Sequence, residues 1–211
     1  MRRIAARLLP YLRFGPIAGI LAVLKRLMRP WLEWGSVVVF ELPIVGVDGL
    51  PAGLDVRAID ASDVARVAKV FGRSPAVLAE RLALGDRGYV GFLGDRPVHM
   101  RWVATRATPM PETGLWLHPR PGTVYVYDLE TCPEARGRRV TQAVRAAMDG
   151  ALAAEGFQAK LAYVRADNHA MWRTLRDAPG PLRRLGRIFY VRRPGRPPTV
   201  LGRAHLPPAT V

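Results

Sequence analysis

From Thr123 to Asn168 the chain runs strand, basic turn, helix and strand, a sequence of elements with few physical solutions. The apolar stretch Thr123 to Thr131 passes through Cys132-Pro133-Glu134-Ala135 into Arg136-Gly137-Arg138-Arg139-Val140-Thr141. An amphipathic helix opens there, runs from about Arg138 to Glu155 and stops at Gly156; a strand over Ala159 to Arg165 then delivers Asp167-Asn168. A helix start leaves about four N–H groups without intrahelical partners and carries roughly half a positive charge. Flanked by arginines, this turn is a cradle for an anion such as a diphosphate.

The elements around it are those of a mixed α/β domain. An imperfect alternation along Thr123 to Thr131 puts Tyr125, Tyr127, Leu129 and Thr131 on one face and Val124, Val126, Asp128 and Glu130 on the other. Upstream, Asp55 to Asp60 reads as a strand, and Val64, Val67, Ala68 and Phe71 follow the helical i, i+3, i+4, i+7 rule up to Gly72. Ser74-Pro75 starts a second helix that ends by Gly85. Gly88 to Leu93 and Val98 to Thr105 predict a hairpin with a four-residue turn. Thr108 to Gly122, rich in Pro and Gly, is a loop placed to overhang a site. A last helix covers Asn168 to Arg176 and a last strand Gly186 to Arg193. Val37 to Leu42 reads as a strand ahead of the loop Pro43 to Gly53, and the main fold is expected to start near Leu54.

Three segments follow: 1–35 as a basic and apolar helical extension, 36–193 as the main domain, and 194–211 as a Pro-rich tail expected to be disordered. In the extension, Arg2, Arg3, Arg7, Arg13, Lys25, Arg26 and Arg29 face one acid, Glu33. Residues 2–14 read as an amphipathic helix interrupted at Pro10. The apolar run Phe14 to Leu24 is about half the ~20 residues that span a membrane. Two readings of residues 1–34 stay open: attachment to an anionic membrane surface with Trp31 and Trp34 at the headgroups, or a helix covering the core or a dimer face.

Net charge is +15, and every basic residue except Lys25, Lys69 and Lys160 is arginine. Such a chain favours polyanionic partners. No aromatic-basic platform for RNA is evident, so nucleic acid is not expected. The single Cys132 excludes an intramolecular disulfide framework and fits a reducing, cytoplasmic setting, where it reads as a small packing residue. His118 and His169 are isolated, and no Cys/His cluster has zinc spacing, so no metal is expected.

The order strand, two helices, hairpin, long strand, helix, strand, helix, strand resembles the GNAT acyltransferase superfamily over residues 54–193. Val56-Arg57-Ala58-Ile59-Asp60-Ala61-Ser62-Asp63 is similar to that family's opening, an Arg-containing strand before an Asp that starts the first helix. Gly88 to Trp102 is similar to its hairpin, Leu129 to Val140 to its signature strand and acetyl-CoA loop, and Val164 to Asn168 to its late strand ending in Asn. The resemblance implies a GNAT-like, mostly antiparallel central sheet flanked by helices, with acetyl-CoA or another acyl-CoA as co-substrate. It implies that Arg136, Gly137, Arg138, Arg139, Val140 and Thr141 hold the diphosphate. Leu129 and Thr131 on a splayed strand would bind the pantetheine arm, with Asn168 also on the coenzyme. Two places depart from the family's pattern: Arg139 and Thr141 stand where it has glycine, and Leu175 stands where many members carry a tyrosine that protonates the departing thiolate.

Acyl transfer to an amine needs a group to accept the amine's proton and donors for the carbonyl oxygen. Glu130 and Asp128, the carboxylates nearest the cradle, and Tyr163, where some relatives carry a glutamate base, are the catalytic candidates. The expected activity is acyl-CoA-dependent N-acylation of a small-molecule or lipid-linked amine, such as an amino sugar of an envelope precursor, at the cytoplasmic face of a membrane. The alternatives are a noncatalytic membrane-associated binding protein on the same scaffold and an aminoacyl-tRNA-dependent transferase.

Overall fold

The computed structural model describes residues 23–24, 27–28, 31–45, 53–204 and 210. The amphipathic helix expected over residues 2–14 and most of the apolar run after it lie outside these. Among the described residues no helix is long and apolar enough to cross a membrane.

One eight-stranded sheet organises the chain. Its strands are β1 (Glu33–Pro43), β2 (Leu54–Ala58), β3 (Arg87–Leu93), β4 (Arg96–Ala104), β7 (Thr123–Thr131), β8 (Ala159–Arg165), β9 (Arg183–Arg192) and β10 (Thr199–Ala204). They lie in the order β10-β9-β1-β8-β7-β4-β3-β2. A two-stranded ribbon, β5 (Thr108–Pro109) with β6 (Trp116–Leu117), stands in the long loop. The helices are α1 (Val64–Phe71), α2 (Pro75–Ala83), α3 (Val140–Ala154) and α4 (His169–Arg176). Every neighbouring pair in the large sheet is antiparallel except β7 with β8.

β1 is the largest difference from the sequence reading, which starts the main fold near Leu54. Val37, Val38, Val39 and Phe40 form an unbroken buried run, the pattern of a strand covered on both faces. β1 accordingly lies at the centre of its half of the sheet, between β8 and β9, and covers the outer edge of β8 from Val37 opposite Arg165 to Pro43 opposite Ala159. The tail is also corrected: Thr199–Ala204 pairs with β9 instead of lying disordered. Pro197 and Pro198 fall just before the paired residues, where a missing N–H costs the ladder nothing.

Local chemistry accounts for the rest of the frame. The β3–β4 turn is tighter than expected, with Leu93 paired to Arg96 and only Gly94-Asp95 between them; Gly94 adopts φ +58°, which a two-residue hairpin needs. Arg57 of β2 donates to both oxygens of Asp63, at 2.5 and 2.8 Å, tying the first strand to the start of α1. Those bonds hold the buried Asp63 carboxyl down at about 2. On the opposite face α3 presses onto Gly91, where a Cβ would sit 2.8 Å from a methyl of Val144. Cys132 is buried, its Sγ 3.8 Å from the carbonyl of Pro97, and burial raises its thiol, as suits a packing residue.

Candidate active site

β7 and β8 run side by side only where Thr123, Val124 and Tyr125 meet Ala159, Lys160 and Leu161. Beyond that point the two parallel strands diverge. A cavity of about 680 Å3 occupies the gap, lined by both strands, by α2, the start of α3, α4 and the loop that carries β5 and β6. Pro109, Pro111, Glu112 and Trp116 of that loop overhang the cavity, as its composition suggests.

β7 breaks its own alternation at the mouth of the gap. Trp102 of β4 faces Tyr127 and Met100 faces Glu130, so Asp128 and Leu129 together oppose the single residue Arg101. This is a β-bulge, and Asp128 takes φ +45° to make it. The expected faces are therefore wrong past Tyr127. Met100 and Trp102, two apart on a regular strand, point the same way, so Tyr127 and Glu130 share the face toward α2 instead of lying on opposite ones.

Two arginines, Arg73 from the α1–α2 corner and Arg81 from the last turn of α2, fasten the bulge. Arg73 donates to Asp128 and to Glu130, each at 2.8 Å, and Arg81 donates to Asp128 at 2.6 Å. Arg81 also stacks 5.1 Å from the ring centres of both Trp102 and Tyr127. Burial pushes the Asp128 carboxyl up, but the bonds and charges of Arg73 and Arg81 outweigh it and hold the group below the usual carboxylate range. Asp128 is thus a poor proton acceptor. Glu130, 42% exposed and held by Arg73 alone, is the freer of the two carboxylates.

Tyrosines form the cavity's inner wall. Tyr125 stacks on Tyr127 with ring centres 5.3 Å apart and on Tyr163 at 6.3 Å. Tyr127 donates to Oδ2 of Asp86 at 2.6 Å, and Arg106 donates to the same oxygen at 2.8 Å. Tyr163 donates to Glu112 of the overhanging loop. Burial, with Tyr125 and Glu112 adding negative potential, raises the Tyr163 phenol, so it stays protonated.

Across the gap, the 136–141 turn ends in the N-terminus of α3. Gly137 has φ +76° and Arg139, the residue before the helix, has φ +57°. The backbone at Arg139 keeps the left-handed shape that glycine adopts freely, although a side chain now occupies it. Among the described residues, the N–H groups of Gly137, Arg138, Arg139, Val140 and Thr141 donate to no backbone acceptor in good geometry. Thr141 turns its hydroxyl to Thr131 of β7 at 3.2 Å. Asn168 caps α4, its side-chain oxygen accepting from the N–H of Met171 at 3.1 Å, and also lines the cavity. So do Leu129 and, in the place of the absent tyrosine, Leu175. The amides and the open gap fit a diphosphate with an extended arm. Among the described residues, no group of three or more His, Cys, Asp or Glu side chains is arranged to hold a metal ion.

The structure thus brings Asp128, Leu129, Thr141, Tyr163 and Asn168 around one cleft, while Glu130 and Thr131 follow on β7 outside its lining, as do Arg136 to Val140 in the β7–α3 connection. Sequence reasoning missed Arg73, Arg81, Glu112, Arg101, Arg145 and Lys160. A lysine early in the mostly apolar strand Ala159–Arg165 is the one local signal among these.

No family model and no curated protein matches the sequence. Solved structures do match in fold. A putative acetyltransferase of the GNAT family from Novosphingobium aromaticivorans has a TM-score of 0.53 at 18% identity, over 77% of this chain and 66% of its own. A conserved protein of unknown function from Staphylococcus epidermidis also has a TM-score of 0.53, at 8% identity, over 81% and 66% of the two chains. A GCN5-related N-acetyltransferase from Kribbella flavida has a TM-score of 0.50 at 12% identity, over 81% and 63%. The chain therefore spans slightly under two thirds of the length of each of these structures. It has a GNAT-like fold, the mixed and mostly antiparallel sheet flanked by helices that the order of elements implies.

Proposed function

We propose that this protein is an acyl-CoA-dependent N-acyltransferase. The observation that carries the reading is the divergence of β7 from β8 beyond Tyr125, next to a turn whose amides at 137–141 lack backbone partners. Those amides and the neighbouring arginines would hold the coenzyme's diphosphate, and the free edge of β7 from Leu129 to Thr131 would hold its arm. When bound, acyl-CoA supplies an activated acyl group, so positioning does much of the catalytic work.

The chain's own residues divide the remaining tasks. Glu130, the carboxylate with access to solvent, accepts the proton of the incoming ammonium directly or through water. Asp128, clamped by two arginines, holds the bulge instead of titrating. Tyr163 stays neutral with its one proton donated to Glu112, so its oxygen is left to accept a hydrogen bond from the incoming amine.

The acceptor would enter from the α2 side. Its rim carries the exposed apolar side chains Val77, Leu84 and Trp116, while Glu80 and Glu112 bring negative charge to the wall. An amine carrying an apolar portion, such as a lipid-linked amino sugar, suits both features. The basic and apolar residues 1–34 would hold the enzyme at an anionic membrane surface on the cytoplasmic side.

Calorimetric titration with acetyl-CoA tests the coenzyme: the expected result is a micromolar dissociation constant. The second reading, a noncatalytic binding protein, is favoured by Arg139, Thr141 and Leu175 standing at the departures from the family pattern. Absence of coenzyme binding would establish it over the first.

A further inference from the structure

The α3 face of the cavity is unusually charged for a buried surface. Arg101 of β4 and Lys160 of β8 are 3% and 4% exposed, and both line the cavity with the half-buried Arg145 of α3. Thr141, Arg145 and Asp149 are successive i, i+4 positions on α3, so one helical stripe faces both strands. The one buried carboxylate there, Asp149, is engaged by Lys160. Arg145 has no hydrogen bond or ion pair among the described residues, and exposed Asp177 is the second acid whose field reaches it.

Arg101 has weak partners for a guanidinium this deep. Its Nε lies 3.4 Å from Nε2 of His99, and one terminal nitrogen lies 3.3 Å from the carbonyl of Thr141. His99, held neutral by burial and Arg101, brings no negative charge to the guanidinium. Three cations thus converge on one buried carboxylate. Uncompensated charge is costly in such a place, and the effect is visible in Lys160, which burial lowers to about 8, and in Arg101, lowered to about 10.

We propose that Arg101, Arg145 and Lys160 form an anion subsite, separate from the 136–141 turn, that receives the terminal carboxylate of a dicarboxylyl group on the donor thioester. The subsite rests on the charge imbalance; the identity of its ligand rests on the acyltransferase reading. A carboxylate at the end of a short acyl chain meets all three cations within the cavity that also holds Leu129 and Tyr163. A phosphate group offers the same chemistry, and the test separates the two sources.

The test is calorimetric binding of succinyl-CoA, acetyl-CoA and inorganic phosphate to the wild-type chain, to Arg145→Gln and to the double variant K160M/D149N. Arg145→Gln removes a charge that bonds to nothing, and the double variant removes the Lys160 pair without stranding Asp149. The expected result is succinyl-CoA bound about tenfold tighter than acetyl-CoA, with the preference lost in both variants. If the variants weaken both thioesters alike, a phosphate of the coenzyme is the anion, and the acyl carboxylate assignment is overturned while the subsite stands. If no thioester binds but inorganic phosphate binds in an Arg145-dependent way, the subsite stands and the acyltransferase reading fails. All three anions binding the variants within about twofold of wild type, or none binding at all, overturns the subsite.

Discussion

Arg81 of α2 donates to Asp128 of β7 at 2.6 Å, and Asp128 is the residue whose positive φ puts the bulge into that strand. The contact joins the helix that rims the acceptor side to the point where the strand departs from its ladder. Replacing Arg81 with Leu leaves Asp128 to Arg73 alone and also removes the cation stacked on Trp102 and Tyr127. Because both groups of the pair are about four-fifths buried, the cost lies between that of surface and fully buried pairs, about 1–3 kcal/mol. Denaturant unfolding checks the value, and a change below about 0.5 kcal/mol would mean that the bulge does not depend on this clamp.

Arg139 occupies a left-handed backbone at the entrance to α3. Arg139→Gly relieves a conformation that costs a residue with a Cβ about 1–2 kcal/mol, offset in part by the entropy glycine loses on folding. The expected net gain is about 0.5–1 kcal/mol by denaturant unfolding. Removing the Cβ also opens the approach to the turn's amides, so acetyl-CoA should bind as tightly or tighter. Binding that weakens more than tenfold would assign the hold on the phosphate to the Arg139 guanidinium itself.

Glu130→Gln keeps a partner for Arg73 and removes the proton acceptor. Turnover with an accepted amine should fall about 10²-fold or more, with acetyl-CoA binding within about threefold of wild type. The acid limb of the pH–rate profile should vanish with it. Survival of that limb in the variant would shift the role to Glu112, which reaches the cavity through its bond with Tyr163.

Burial lowers Lys160 to about 8, well under its ordinary value near 10.5. Between those values the folded chain has lost the proton while the unfolded chain keeps it, so this group's destabilising contribution is complete below about pH 8 and relieved as pH rises toward 10. Asp63 has the opposite course: its carboxyl, held at about 2, stabilises the fold above about pH 4, and that contribution is lost as the pH falls toward 2. Melting temperatures from pH 7 to 10 should therefore climb more for wild type than for K160M/D149N. Equal slopes would show that Lys160 titrates normally.

Much of the cleft is legible in the sequence. The strand, basic turn and helix appear within a few residues of their expected limits, because their apolar periods and the Gly137 and Gly156 punctuation are local signals. The bulge was not, since period-2 alternation carries no mark of an added residue, and Asp128 tolerates positive φ without being glycine. Arg73, Arg81 and Lys160 became site residues only through pairings 47 to 57 positions apart along the chain, or through a helix packed on their strand. β1 was legible as a strand but not as a central one, because nothing near Val37 to Phe40 says which edges it joins. Its place gives a direct test: a chain starting at residue 31 should remain soluble and cooperative, and one starting at residue 53 should not. A soluble, cooperatively folded product from the shorter chain would show that the sheet closes without β1.

Amide chemical shifts report the coenzyme's position residue by residue. In a titration of the isotope-labelled protein with acetyl-CoA, the largest shifts are expected at Gly137 to Thr141 and at Leu129 to Thr131, the two sides of the gap beyond Tyr125. Saturating acetyl-CoA with those amides unmoved, or shifts gathered elsewhere on the sheet, would contradict the assignment of this cleft to a thioester donor.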